Sequence, residues 1–197
     1  LMSPYTWKKA RVVVHEMADA AALDLVARHL VTDQLTLTVS YDPTSLSDPA
    51  IREKYRGEIT TNYYGKPVPK HAHGTANLDE PTSSAKLITK TVLQLYDRIV
   101  NRDLLVKRIN LATNHVIDEA TANKQRPPKQ LDLFEDPNTE EERHRTEEAA
   151  LDKERRLQEA ALAIKQKFGK NALLKGLNFE EGATAKDRNQ QIGGHKA

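Results

Sequence analysis

The feature that most constrains this fold is an uninterrupted alternation of apolar and polar residues from Gln34 to Tyr41. Successive side chains of a strand point to opposite faces, so this alternation predicts a strand that is buried on one face only. The other face carries hydroxyl and amide groups and no charge. The apolar members are Leu35, Leu37, Val39 and Tyr41, and the polar members are Gln34, Thr36, Thr38 and Ser40.

The flanking segments predict two amphipathic helices, over residues 10–30 and 82–100, because apolar residues recur there at steps of three or four. Thr82 or Ser83 is the expected cap of the second helix. The expected apolar stripe of the first helix is Val13, Met17, Ala20, Leu23, Val26, Ala27 and Leu30.

Two further strands are predicted, over residues 71–78 and 104–117, because both segments alternate. The order is then helix, strand, strand, helix, strand. One preceding strand would complete a split βαββαβ unit, in which two helices cover one face of an antiparallel sheet. Residues 1–6 have room for the end of that strand only. We therefore expect an α+β fold, little-finger-like in arrangement, whose first strand is largely missing.

Composition excludes several classes of protein. Hydrophobic residues are 38% of the 197, and the mean hydropathy is −0.67, so we expect a folded part and a solvated part. No apolar run approaches the ~20 residues of a membrane span, and we expect no secretory signal in these residues, because no basic segment precedes an apolar stretch at their start. The absence of cysteine excludes disulfides and thiolate metal sites. These features fit a cytoplasmic protein with no membrane partner.

A long excursion over residues 42–70 separates the first two predicted strands. Prolines and glycines interrupt it, and it carries a local basic patch together with Tyr55, Tyr63 and Tyr64. Excursions of this length within a domain are usually functional or mobile. The net charge of the chain is only +2, which does not indicate a strong polyanion binder.

The C-terminal third of the chain is polar. Residues 118–138 are a predicted linker, because adjacent prolines at 127 and 128 favour an extended chain. Residues 139–168 are a predicted charged helix with a thin apolar seam. The pattern leaves a coiled-coil arm, a solvated helix and a docking helix open. The remaining tail is expected to be mostly helical or disordered.

One short segment of the linker is apolar in a polar setting. Three large apolar side chains stand together there, and a solvated linker gains nothing from exposing them, so a partner or the chain's own domain should bury them. Burial of each is worth about 1.5–3 kcal/mol. The segment is Gln130, Leu131, Asp132, Leu133 and Phe134.

This pentapeptide resembles the motif by which bacterial polymerases and repair proteins bind the β sliding clamp. The rest of the chain resembles the C-terminal part of Y-family translesion polymerases of the DinB/UmuC type, and in particular the UmuC-like UV-damage repair proteins of Gram-positive bacteria. The resemblance covers nearly the whole chain. The segments that carry it are 31–41, 70–75, 105–110, 167–172 and 189–197.

The resemblance implies three regions and a function. Residues 1–120 would be the little finger, which grips primed or damaged double-stranded DNA, residues 121–138 a linker with the clamp-binding peptide, and residues 139–197 a charged helix and tail. Other SOS proteins are possible partners, and the protein would be nucleoid-associated. The residues expected to contact DNA are Thr36, Thr38, Ser40, Lys70, His71, His73, Thr75, Lys107, Arg108, Asn110 and Asn114.

The catalytic palm, fingers and thumb of that family precede the little finger and are not among these residues. We therefore expect no polymerase activity from this chain alone and no cofactor in it, while magnesium would serve the full polymerase. Two alternatives remain open: a standalone, non-catalytic protein that binds DNA and clamp, and a scaffold whose charged helix binds a partner while its sheet binds nothing. His71 and His73 would share a strand face, as two metal ligands could, but no third ligand is evident.

Overall fold

The computed structural model describes residues 1, 3–125, 137–192 and 195–196. Short 3₁₀ turns occur at Pro43–Leu46 and Gly176–Phe179. The other elements, in chain order, are α1 Trp7–Ala27, β1 Leu30–Tyr41, α2 Pro49–Lys54, β2 Ile59–Thr61, β3 Pro67–Pro69, β4 Ala72–Thr82, α3 Ala85–Ile99, β5 Val106–Asn114, β6 Ile117–Asp118, α4 Glu119–Gln125, α5 Pro137–Phe168, α6 Ala185–Arg188, β7 Gln191–Ile192 and β8 His195–Lys196.

Strand β1 is the centre of an antiparallel sheet with the order β4-β1-β5. In the middle of the sheet, Leu37 lies opposite Gly74 on one side and Leu111 on the other. The short strand β6 pairs with the beginning of β1. On the far side of β5, Tyr5 forms an isolated antiparallel bridge with Val106. The chain before α1 therefore lies where the first strand of the split unit was expected to end.

The core lies between the sheet and helices α1 and α3, all on one side. The predicted inward members of β1 are each at most 7% exposed. Gly74 lets α3 approach β4, since a Cβ there would stand 3.0 Å from the Leu95 side chain. The α+β fold class, with two helices on one face of an antiparallel sheet, is confirmed. The helical core residues are Ala10, Val14, Ala18, Ala22 and Leu25 of α1, and Ile88, Val92, Leu95 and Tyr96 of α3.

Two details of the helices differ from the sequence prediction. Ser84, not Thr82 or Ser83, caps α3, and its hydroxyl accepts from the backbone N–H of Leu87 at 3.2 Å. The predicted stripe of α1 is also rotated, because this helix is covered on a second side by the C-terminal segment. Glu16, outside the predicted stripe, is buried as a result, whereas Ala20 and Ala27 of that stripe are exposed. Val13 and Val26 are buried as predicted.

The excursion between β1 and β4 is ordered into small elements. After the 3₁₀ turn and helix α2, strands β2 and β3 form a hairpin in which Thr60 lies opposite Val68. Strand β3 packs against the 3₁₀ turn and the end of β1. Asp42 and Asp48 start the turn and α2 by accepting hydrogen bonds from the backbone two residues on, each at 2.9 Å. The hairpin therefore extends from the end of the sheet at which β1 finishes and β4 begins.

Helix α5 docks on the start of α3. Of the coiled-coil arm, the solvated helix and the docking helix that the sequence left open, the structure therefore shows the docking helix. Glu154 accepts from the Ser84 hydroxyl at 2.7 Å and from the Lys86 backbone N–H at 2.9 Å. Gln158 is 7% exposed and donates to the carbonyl of Ser83 at 3.0 Å. Helix α4 occupies 119–125, where the sequence predicted the beginning of a linker.

The C-terminal segment folds back on α1. The side chain of Glu16 has no exposed surface, and its carboxylate accepts hydrogen bonds from residues 178, 184, 185 and 188. Lys175 adds an ion pair with Asp19 at 2.8 Å. Within the described ranges, no helix is long and apolar enough to cross a membrane.

Candidate nucleic-acid interface

The face of the sheet that the helices do not cover is lined by neutral polar side chains. Strand alternation places every second residue of β1, β4 and β5 there. Most of these side chains are uncharged hydroxyl or amide groups, which both donate and accept hydrogen bonds. The face comprises Gln34, Thr36, Thr38 and Ser40 of β1, His73, Thr75 and Asn77 of β4, and Arg108, Asn110, Ala112 and Asn114 of β5. We call this set the outer face.

Side chains of the outer face hydrogen-bond to one another across the strands. Gln34 donates to Asn77 Oδ1 at 3.0 Å and accepts from Asn114 Nδ2 at 3.1 Å. Thr36 Oγ1 accepts from the same Asn114 amide at 2.7 Å and shares a hydrogen bond with Thr75 Oγ1 at 3.1 Å. These bonds fix the side-chain rotamers, so the donors and acceptors are held in place before any ligand arrives.

The two histidines lie together at the beginning of β4. Thr38 Oγ1 and His73 Nδ1 share a hydrogen bond at 2.9 Å, and the His71 and His73 rings are 6.5 Å apart and nearly perpendicular. Across the described ranges, no group of three or more His, Asp or Glu side chains could hold a metal ion. The contact of His73 with Thr38 makes this ring part of the hydrogen-bonded outer face.

Positive charge is concentrated at one end of the outer face. Arg108 lies opposite Ser40, near the end of β1, and is exposed. Lys107 is the extra residue of a β-bulge beside it and turns towards Asp42, with 3.7 Å between Nζ and Oδ2. Lys70 pairs with Glu58 at 2.6 Å. The two lysines are thus partly neutralised, whereas Arg108 faces solvent on the sheet surface.

The structure brings together eight of the eleven residues expected to contact DNA, all on the outer face or directly beside it. Lys70 and Lys107 lie at the edge in ion pairs, and His71 precedes β4 next to His73. Sequence reasoning missed Gln34 and Asn77 as site residues, although the period-two pattern places both on this face. The eight are Thr36, Thr38, Ser40, His73, Thr75, Arg108, Asn110 and Asn114.

The far end of the outer face carries an acidic group. Asp33 pairs with His115 at 2.9 Å, where His115 turns the chain out of β5 with a φ of 48°. An acidic side chain therefore stands beside this end of the outer face, at the other end from Arg108. The expected clamp-binding residues, Gln130, Leu131, Asp132, Leu133 and Phe134, lie outside the described residues.

The sheet, its two covering helices and its open polar face define an α+β domain of the little-finger kind. A model of the impB/mucB/samB family C-terminal domain matches residues 3–133, which is well over half of the chain. The chain belongs to this family and contains a C-terminal domain of the UmuC-like, Y-family polymerase type, which is not the catalytic part of such an enzyme. No curated protein matches the chain at a significant level.

Proposed function

We propose that the outer face grips the sugar-phosphate backbone of primed or damaged double-stranded DNA on behalf of an error-prone translesion polymerase. The observation that carries this proposal is the hydrogen-bonded mesh of Gln34, Thr36, Thr75, Asn77 and Asn114 on an exposed sheet. Hydroxyl and amide groups contact phosphate and sugar oxygens without selecting a base, which suits a protein that must accept any template. The family membership supports the same function.

The small net charge of the chain agrees with a gripping role that depends little on charge. Each phosphate neutralised by a cationic side chain adds about one unit to the slope of log affinity against log salt concentration. The outer face presents a single permanent cation, Arg108, with His73 and the adjacent His71 near the same end, so we expect a shallow slope. A domain of this kind holds DNA weakly by itself and gains occupancy when it is tethered close to it.

The first test compares two arginines on opposite sides of the domain. Arg108→Ala removes the exposed cation of the outer face, and Arg28→Ala removes an exposed cation at the end of α1, where it pairs with Asp24 at 3.1 Å. The binding of a primed duplex is measured by fluorescence anisotropy over a series of salt concentrations. We expect Arg108→Ala to weaken binding and to lower the salt slope by about one, while Arg28→Ala changes neither.

Equal effects of the two substitutions would contradict the assignment of the outer face. Loss of affinity through Arg28→Ala alone would place the DNA on the helical side instead. A parent chain that does not bind duplex DNA at all would refute the DNA-gripping function, and it would favour the scaffold interpretation.

We also propose that residues 130–134 recruit the domain to the β sliding clamp. Leu131, Leu133 and Phe134 would fill an apolar pocket, and Gln130 would hydrogen-bond at its rim. Residues 1–120 are the DNA-binding unit in this proposal, 121–138 the tether and 139–197 a brace on the helical side. A tether raises the local concentration of the domain at a primer end without a tight contact.

The clamp proposal is tested by Leu133→Ala combined with Phe134→Ala in a surface-plasmon titration against the clamp. We expect the double variant to lose binding, because two large apolar side chains of about 1.5–3 kcal/mol each are removed. Leu157→Ala is the matched control, since Leu157 is 63% exposed on α5 and lies outside the peptide. Unchanged binding by the double variant would refute the assignment. In cells, the same double variant should reduce damage-induced mutagenesis by the complete polymerase.

A further inference from the structure

Two tyrosines project from the tip of the β2–β3 hairpin with almost no protein around them. Tyr63 is 96% exposed and Tyr64 is 81% exposed. Their rings meet edge to face, with 5.4 Å between the centroids. Aromatic side chains normally stabilise a fold by being buried, and these two are not buried, so they add no such stabilisation. Their exposure therefore points to a ligand rather than to stability.

The turn that carries the tyrosines is held by other residues. Asn62 Oδ1 accepts from the backbone N–H groups of Tyr64 at 2.9 Å and Lys66 at 3.0 Å. Gly65 adopts a φ of 73°, which glycine does without strain. The Asn62 N–H also donates to the Lys66 carbonyl at 2.9 Å. The backbone thus presents both rings in a fixed place without using either side chain.

The surroundings of the hairpin are cationic and continuous with the positive end of the outer face. Strand β3 leads through Lys70 and His71 directly into β4. It also packs beside the end of β1, the end at which Ser40 pairs with Arg108. Glu58 forms an ion pair with Lys70 at 2.6 Å, which offsets its negative charge. Five exposed cations of the excursion stand against three exposed acids, Asp48, Glu53 and Glu58. The cations are Arg52, Lys54, Arg56, Lys66 and Lys70.

We propose that Tyr63 and Tyr64 form a stacking platform for an unpaired base of single-stranded DNA that continues from the duplex held on the outer face. Exposed aromatic rings amid lysine and arginine are the usual elements of such sites, because every base has a face that stacks and every nucleotide a phosphate. The inference rests on the proposed DNA-gripping function. It adds a contact to the single strand beyond the duplex.

The test uses the full chain and two DNA probes of equal duplex length, one blunt and one with a single-stranded template overhang that contains 2-aminopurine. The variant Y63A/Y64A removes both rings, and Y63F/Y64F keeps the stacking surface while removing the hydroxyls. We expect Y63A/Y64A to bind the overhang probe about tenfold more weakly and the blunt probe as before. The parent and Y63F/Y64F should both quench 2-aminopurine emission, and Y63A/Y64A should not.

The outcomes separate this inference from the function on which it rests. If the parent binds the blunt probe and all three proteins bind the overhang probe equally well, the stacking platform is refuted. The proposed DNA-gripping function of the outer face would then still stand. Equal losses on both probes would also overturn the platform, because the tyrosines would then contact duplex. Failure of the parent to bind the blunt probe would refute the DNA-gripping function itself. Since Asn62 and Gly65 are retained, thermal unfolding should be the same in all three proteins.

Discussion

Glu16 lies on the side of α1 that faces the C-terminal segment, and its carboxylate is fully enclosed. Oε2 accepts from the Thr184 and Ala185 backbone N–H groups at 2.8 and 2.9 Å, and Arg188 contributes a charge at 3.3 Å. Oε1 accepts from Asn178 at 2.9 Å. A buried carboxylate is tolerated only when it is hydrogen-bonded and paired. Glu16 is therefore the buried anchor of the C-terminal segment on α1, where the ion pairs Lys175–Asp19 and Lys9–Glu181 also join the two.

We expect Glu16→Ala to lower the free energy of unfolding by about 2–3 kcal/mol, because several buried donors lose their acceptor together. Asp24→Ala is the control on the same helix. Its pair with Arg28 is exposed at both partners, so its loss should cost about 0.5 kcal/mol or less. Urea unfolding followed by circular dichroism measures the free energy of unfolding of both variants. Equal losses would show that the enclosed carboxylate of Glu16 stabilises the fold no more than an exposed ion pair does.

Asp42 gives the fold a dependence on pH. Burial alone would raise the pKa of Asp42, but hydrogen bonds from Thr44 and the nearby Lys107 outweigh burial, so the pKa lies below its ordinary value of 3.8. A depressed carboxyl pKa stabilises the fold above the unfolded value and loses that contribution as pH falls through the folded value. The contribution is therefore complete near neutral pH and disappears below 3.8.

Asp42→Asn should keep the acceptor for Thr44 and remove this titration. The variant is then less stable than the parent near neutral pH, and the difference shrinks as the solution is acidified below the ordinary carboxyl pKa. Denaturant unfolding at a series of pH values measures the difference directly. A constant difference across the series would show that Asp42 does not titrate with folding.

At the scale of elements, the sequence predicted those parts whose pattern is local. The alternation from Gln34 to Tyr41 located β1 and its two faces, and the apolar stripe of α3 located its core side. The β2–β3 hairpin was missed, because strands of three residues leave no period to read. The docking of the C-terminal segment was also missed, since its partner Glu16 lies more than 160 residues away in the chain. The sequence did hold one signal for this docking, because Glu16 is a charged residue next to the apolar stripe of α1 and needs a buried partner.

Helix α5 supplies a cap to another helix. The Glu154 carboxylate accepts from the Lys86 backbone N–H in the first turn of α3, where such groups have no partner within the helix. We expect Glu154→Ala to lower the free energy of unfolding by about 1 kcal/mol, the usual effect of losing a cap. Glu159→Ala is the control, because Glu159 is exposed and pairs with Arg155 of the same helix at 2.9 Å. Chemical unfolding of both variants, with amide exchange of residues 85–88, distinguishes capping from general helix loss.

At the scale of the whole molecule, the two sides of the sheet have separate roles. The helical side holds the core and the C-terminal segment, and the outer face carries the polar groups proposed to contact DNA. Among the described residues, Glu16 and Arg108 share no partner, and the sheet separates their surroundings. Substitutions at sites that share no partner generally add in free energy.

We therefore expect Glu16→Ala to leave the affinity for a primed duplex unchanged and Arg108→Ala to leave the unfolding free energy within about 0.5 kcal/mol of the parent. The double variant should show the sum of the two effects in each measurement. Anisotropy titrations and urea unfolding on all four proteins complete the cycle. A coupling above about 0.5 kcal/mol would show that the C-terminal brace shapes the DNA-binding side.

The contact between Glu16 and Arg188 also orders events during synthesis of the protein. At about 5–20 residues per second, the ribosome adds the partner of Glu16 roughly ten to thirty seconds after Glu16 itself. Once β4 and β5 have emerged during that interval, the sheet can assemble on α1, but the Glu16 carboxylate stays in water. The nascent domain thus keeps one side of α1 open until residues 178–188 emerge and enclose Glu16.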